Sequence, residues 1–112
     1  MSDAIDMKEV MERLQDDREL LMELLNLYTD DFTEKRAGLN EAAQNKDFEK
    51  LRNIAHSLKG SSGNISAKKL HSIFLTLEQS AKAQDLSQVA AALQQIDAEY
   101  AELQKYIAGL KK

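Results

Sequence analysis

Residues Leu86–Leu110 read LSQVAAALQQIDAEYAELQKYIAGL. The apolar positions Leu86, Val89, Leu93, Ile96, Tyr100, Leu103, Ile107 and Leu110 alternate spacings of three and four, a strict heptad seam. That period belongs to a helix and to no strand. A helix with such a seam must bury it, against a second chain or against other helices of its own chain. The rest of the sequence favours the second solution. Its 112 residues contain no proline and only four glycines, too little turn punctuation for a β-rich domain. Hydrophobic residues make up 43% and charged residues 30%, as in ordinary globular proteins. The length is that of one domain, spanning residues 1–112.

Working back from this segment, each preceding stretch is amphipathic and bounded by a short polar joint. Ala83-Gln84-Asp85 breaks the pattern, and Asp85 with Gln88 resembles a capping box for the last helix. Before it, Leu70, Phe74, Leu77 and Ala81 form one helical line, with Ser66 as the expected cap. Leu51, Ile54 and Leu58 mark a third helix, begun by the N-cap Asp47 and ended near Gly63-Asn64, residues that tolerate the left-handed conformation of helix ends. Leu21, Leu24, Leu25, Tyr28, Phe32, Leu39 and Ala42 define a long helix from about Asp17 to Gln44. Asp16, with Glu19 three residues on, is its expected cap, and Asp31 with Lys35 forms an i,i+4 structural pair. Met7–Leu14 forms a short first helix. The expected fold is all-α: an antiparallel up-down four-helix bundle with a short additional N-terminal helix. A bundle absorbs the heptad seam internally, so a monomer is expected; a coiled-coil dimer is the competing outcome.

Several function classes fall away at this stage. Without cysteine there is no disulfide, thiolate metal site or cysteine nucleophile. A net charge of −4 argues against a general basic surface for nucleic acid. No apolar run approaches a membrane span, and Met1-Ser2-Asp3-Ala4 does not open a secretion signal, so a cytoplasmic protein is expected. No metal-ligand set, phosphate loop or GxSxG elbow is present.

Two histidines remain, His56 and His71. With Leu58 at 0° and about 100° per residue, Leu51, Ile54 and Ile65 fall within about 40° and His56 at about 160°. His56 is therefore expected to face solvent, opposite the core stripe. Gly60 and Gly63 follow it at one-turn intervals on the same strip, and the close approach of another molecule would explain small residues there. Arg52 and Lys59 flank the ring, and cations beside an imidazole favour its neutral, nucleophilic form and stabilise an anionic adduct. His71 falls at the edge of its helix stripe and is expected to be a boundary residue without chemistry.

The stretch Ala55-His56-Ser57-Leu58-Lys59-Gly60-Ser61-Ser62-Gly63-Asn64-Ile65 strongly resembles the signature of histidine-containing phosphotransfer (HPt) domains of multistep phosphorelays. Asp47-Phe48-Glu49-Lys50-Leu51, Leu77-Glu78 and Leu27-Tyr28-Thr29-Asp30-Asp31-Phe32 fit the same family, and the likeness covers about residues 17–85. The family often has glycine where this chain has Ser66. The resemblance implies that His56 is the phosphoacceptor, that Lys59 stabilises the phosphoryl group and that Gly60 leaves access open; Arg52 and Gly63, beside His56, are expected with Gly60 to face the partner. The implied partners are response-regulator receiver domains, which carry the phospho-aspartate and Mg²⁺, and a sensor or hybrid histidine kinase. No cofactor is expected in this chain, and it is expected to be a phosphocarrier rather than an enzyme. Autophosphorylation, as in sensor-kinase dimerisation domains, is not expected: Ser57 rather than an acidic residue follows His56, and no proline lies downstream. The alternative function is a helical adaptor that binds a partner without phosphotransfer.

Overall fold

The computed structural model describes residues 3–111. The part of the N-terminal reading that rests on Met1 and Ser2 lies outside them. Five helices occur in order: α1 (Met7–Arg13), α2 (Arg18–Gln44), α3 (Phe48–Asn64), α4 (Lys68–Lys82) and α5 (Val89–Leu110). Helices α2 to α5 form the antiparallel up-down bundle, 42 Å in its longest dimension, and no strand occurs among the described residues. Across α2 and α3, Tyr28 meets Ser62 and Lys35 meets Ser57. Across α2 and α5, Arg18 reaches the Leu110 carbonyl, Phe32 stacks on Tyr100 with centroids 3.7 Å apart, and Arg36 pairs with Asp97. In each pair one number rises as the other falls, so neighbouring helices run in opposite directions.

The heptad seam of α5 lies inside this bundle. Val89, Ile96, Leu103 and Ile107 are buried, and Leu93, Tyr100 and Leu110 pack partly buried against the same core. Leu21, Leu25, Tyr28 and Phe32 from α2, Leu51, Ala55 and Leu58 from α3, and Leu70, Phe74 and Leu77 from α4 complete it. Among the described residues, no buried side-chain polar atom lacks a hydrogen-bond partner.

The joints share one device. The chain turns through a left-handed residue at Gln15 and Asp16, at Lys46, at Ser66 and at Gln84, none of them glycine. Beyond each, an amide returns to a carbonyl five residues back: Asp16 to Met11, Asp47 to Ala42, Ala67 to Ser62 and Asp85 to Ser80. These are the long bonds of Schellman closures, which satisfy orphan carbonyls at helix ends.

Three expected caps differ, two of them because of this device. Asp17, not Asp16, caps α2 and accepts from the Leu20 amide, because Asp16 is the left-handed residue. Ala67, not Ser66, precedes α4, and it offers no side-chain bond. Asp85 accepts from the Ser87 amide, closing a turn ahead of α5 instead of a capping box with Gln88. The expected Asp47 cap is present and accepts from Lys50. The left-handed turn after α3 falls on Ser66 rather than on Gly63 or Asn64.

Ser66 thus occupies a conformation in which glycine carries no Cβ penalty. Its hydroxyl compensates: it donates to Glu9 at 2.9 Å and accepts from Arg13, which also bonds the Gly63 and Asn64 carbonyls. Asp6 caps α1 and gives its amide to the Ser66 carbonyl, while Lys68 pairs with both Asp6 and Glu9. Helix α1 is in this way fastened over the α3–α4 joint.

Candidate functional site

His56 stands on α3 with its side chain 68% exposed, as the helical angle requires. Leu51, Ala55 and Leu58 anchor the opposite face in the core, so the ring's direction is fixed by burial elsewhere on the same helix. One turn on, Gly60 is exposed, and a Cβ built there meets nothing within 4 Å. One turn before, Arg52 is also exposed. Together these residues leave the approach to the ring open.

The contact that defines the site comes from α4. Glu78 accepts from Nδ1 of His56 at 2.6 Å with one oxygen and from Nζ of Lys59 at 2.7 Å with the other. Its side chain is only 9% exposed. The Lys59 bond holds the Glu78 carboxyl below its ordinary range; burial opposes this and the His56 bond adds to it. Glu78 is therefore a carboxylate, an acceptor only, and the ring nitrogen facing it must carry the proton. This hydrogen-bond pattern assigns neutral His56 as the Nδ1–H tautomer, with the lone pair of Nε2 turned to solvent.

This corrects the expected electrostatics. The charged group touching the imidazole is an anion, and the Lys59 ammonium is paired with that same anion. Lys59 lies beside the ring as expected, but its charge is balanced until a second anion arrives. The role of Glu78 was not read from the sequence. The available signal was its register: Leu70, Phe74 and Glu78 follow at i, i+4, i+8, so a carboxylate stands where an apolar residue belongs.

The remaining residues are placed as follows. Lys35 pairs with Asp31 as expected and also donates to the Ser57 hydroxyl, beside His56. Gly63 is half-buried beneath α4, where a Cβ would lie 3.3 Å from Nδ1 of His71. His71, half-buried, shares its Nδ1 with the Lys59 carbonyl at 3.0 Å. Among the described residues, no group of three or more His, Cys, Asp or Glu side chains could hold a metal ion, and no helix is long and apolar enough to cross a membrane.

Comparison with known proteins agrees with this geometry. The Hpt domain model matches residues 23–106. A similar solved structure is that of histidine-containing phosphotransfer protein B (HptB) from Pseudomonas aeruginosa PAO1. It shares 30% identity and a TM-score of 0.87, over 97% of this chain and 95% of that one. No curated protein sequence gave a match. An exposed helical histidine, a buried carboxylate that fixes its tautomer and a bundle matching HptB along nearly its whole length identify the chain as a member of the Hpt domain family, the histidine phosphotransfer carriers.

Proposed function

We propose that His56 receives a phosphoryl group from the phospho-aspartate of a receiver domain and passes it to a second receiver. The observation that carries this reading is the 2.6 Å bond from Nδ1 to Glu78 beneath a ring that is 68% exposed. The Nε2 lone pair attacks phosphorus. The bond between phosphorus and the aspartyl oxygen breaks, and its electron pair leaves with the aspartate. The proton stays on Nδ1, so the phosphorylated ring is an imidazolium whose charge faces Glu78. In the return direction the ring leaves as neutral imidazole, a far better leaving group than imidazolate.

Lys59 neutralises charge on the transferred group, and Gly60 leaves room for the receiver. Arg52, exposed one turn before His56, suits the acidic rim of a receiver's pocket. Mg²⁺ belongs to the receiver in this scheme. Phosphoryl transfer depends mainly on positioning and charge neutralisation, so a carrier needs little catalytic apparatus of its own. A sensor or hybrid histidine kinase stands upstream. With the α5 seam buried inside the bundle, the carrier acts as a monomer.

The test is incubation with phosphorylated receivers, scoring acid-labile, base-stable label on this chain. His56→Gln is expected to abolish the label while the chain stays folded, since the ring makes few core contacts and its loss removes at most the one bond to Glu78. Label that persists in this variant would refute the assignment and point to His71.

A further inference from the structure

His71 and Gly63 meet at the place where α4 crosses the backbone of α3. The acceptor on α3 is the carbonyl of Lys59, so Nδ1 of His71 is the donor of that 3.0 Å bond. In the helical ladder this carbonyl already faces the amide of Gly63. A carbonyl oxygen has two lone pairs, and the second one takes the imidazole. Gly63 gives the ring room there: a Cβ would stand 3.3 Å from Nδ1 and 3.7 Å from Cε1, so the ring would have to give by a few tenths of an ångström.

Lys59 is thereby held by α4 at two points, its carbonyl by His71 and its ammonium by Glu78. His71 and Glu78 are seven residues apart, two turns along the same face and about 10 Å along the axis. Side chains lean toward the N-terminus of their own helix, so the Lys59 ammonium is carried toward His56 and away from His71. The antiparallel α4 places Glu78 at that end. The three bonds, at 2.6, 2.7 and 3.0 Å, together fix the register of α4 against α3.

We propose that His71 is a positioning residue for phosphoryl transfer, seating α4 on the α3 backbone at Lys59 so that Glu78 reaches both His56 and Lys59. The inference rests on His56 being the phosphoacceptor. Gly63 is the seat that admits the ring, a different role from a surface offered to the partner.

The test compares His71→Phe, which keeps ring volume and loses the donor, with His71→Asn, whose amide N–H stands near the Nδ1 position. Two readouts are taken on the full chain: the ¹⁵N chemical shifts of the His56 ring, which report its tautomer, and the rate of transfer from a phosphorylated receiver. His71→Phe is expected to shift the ring away from the Nδ1–H tautomer and to slow transfer by roughly ten- to a hundredfold, the scale of an ångström-level misplacement. His71→Asn is expected to recover both. A folded Phe variant with unchanged tautomer and rate overturns the proposal, as does an Asn variant that recovers neither. If the Phe variant does not fold, Gly63→Leu takes its place: its side chain extends beyond a Cβ that would itself stand 3.3 Å from Nδ1, displaces the His71 ring and is expected to produce the same loss, and an unchanged tautomer and rate overturn the proposal. The nitrogen spectra need no receiver. A chain that accepts no phosphoryl group therefore refutes the reading of His56, while the spectra still decide whether His71 positions its ring.

Discussion

Replacing Glu78 by glutamine keeps the shape of the side chain and removes only its charge and one acceptor. In the wild-type protein the two oxygens accept from two donors, Nδ1 of His56 at 2.6 Å and Nζ of Lys59 at 2.7 Å. An amide has one oxygen and one NH₂ for the same two partners. If the oxygen faces His56, the ammonium meets a donor. If it faces Lys59, the NH₂ meets Nδ1, which must then accept, and the ring proton moves to Nε2. The ammonium bears a full charge, and a hydrogen bond to a charged group is worth about 1.5–3 kcal/mol. The second orientation therefore wins, and the nucleophilic tautomer is depleted by about that free energy. At 1.36 kcal/mol per factor of ten, transfer is expected to fall by about ten- to a hundredfold. Stability should fall by about 1–2 kcal/mol for one lost charge-assisted bond at a site open to water on one side. The assays are rapid-quench transfer from a phosphorylated receiver and the ring ¹⁵N shifts of His56. Wild-type transfer together with an unprotonated Nε2 in Glu78→Gln would refute the tautomer argument.

Four further outcomes are expected. Gly60→Ala should stabilise the protein by up to about 1 kcal/mol, because a Cβ there meets nothing and helix propensity improves; Gly60→Gln should keep most of that gain yet slow transfer, so melting temperature and rate move in opposite directions. Gln84→Gly should raise the melting temperature by relieving a left-handed residue, worth up to about 1 kcal/mol after the entropy of glycine is charged against it. Ser66→Gly should give no such gain, because it deletes a hydroxyl bonded to Glu9 and Arg13, and a rise equal to that of Gln84→Gly would show those bonds to be idle. The carboxyl of Glu78 lies below its ordinary value of 4.5, held there first by Lys59; its contribution to stability is present in full above pH 4.5 and is lost as pH falls through the depressed value, so thermal melts between pH 7 and 2.5 should show a loss that Glu78→Gln diminishes.

The helices were legible because each writes its own period. The α5 seam, the α2 stripe and the α4 line all resolve into buried faces, and His56 fell on the exposed side of α3 by angle alone. The joints were legible as polar interruptions, but the capping residue was displaced at three of them. At one of them Asp85 closes a turn ahead of α5; at the other two the left-handed residue that closes the preceding helix, Asp16 or Ser66, stands where the cap was expected. Only glycine or asparagine would have marked it from sequence. Glu78 escaped for another reason. It occupies a core register through a tertiary contact, and one carboxylate in an apolar row does not reveal what it answers. Gly63 was expected on the exposed strip of His56 and lies half-buried beneath α4, since the helical wheel of α3 says nothing about the helix that crosses it, whereas His71 stands at the boundary its own angle gave.

The antiparallel pairing of α3 with α4 has a consequence for the order in which this protein comes apart. His56, Lys59, His71 and Glu78 all lie on one helical hairpin, at most 22 residues apart in the chain. Closing so short a loop costs little entropy, and contacts this local form early in folding. In native-state hydrogen exchange the hairpin should therefore behave as one cooperative unit. Fraying of α1, or loosening of the end of α5, can expose amides and weaken the global fold while the four side chains stay in register. The chemical competence of the carrier should thus outlast the first stages of its unfolding.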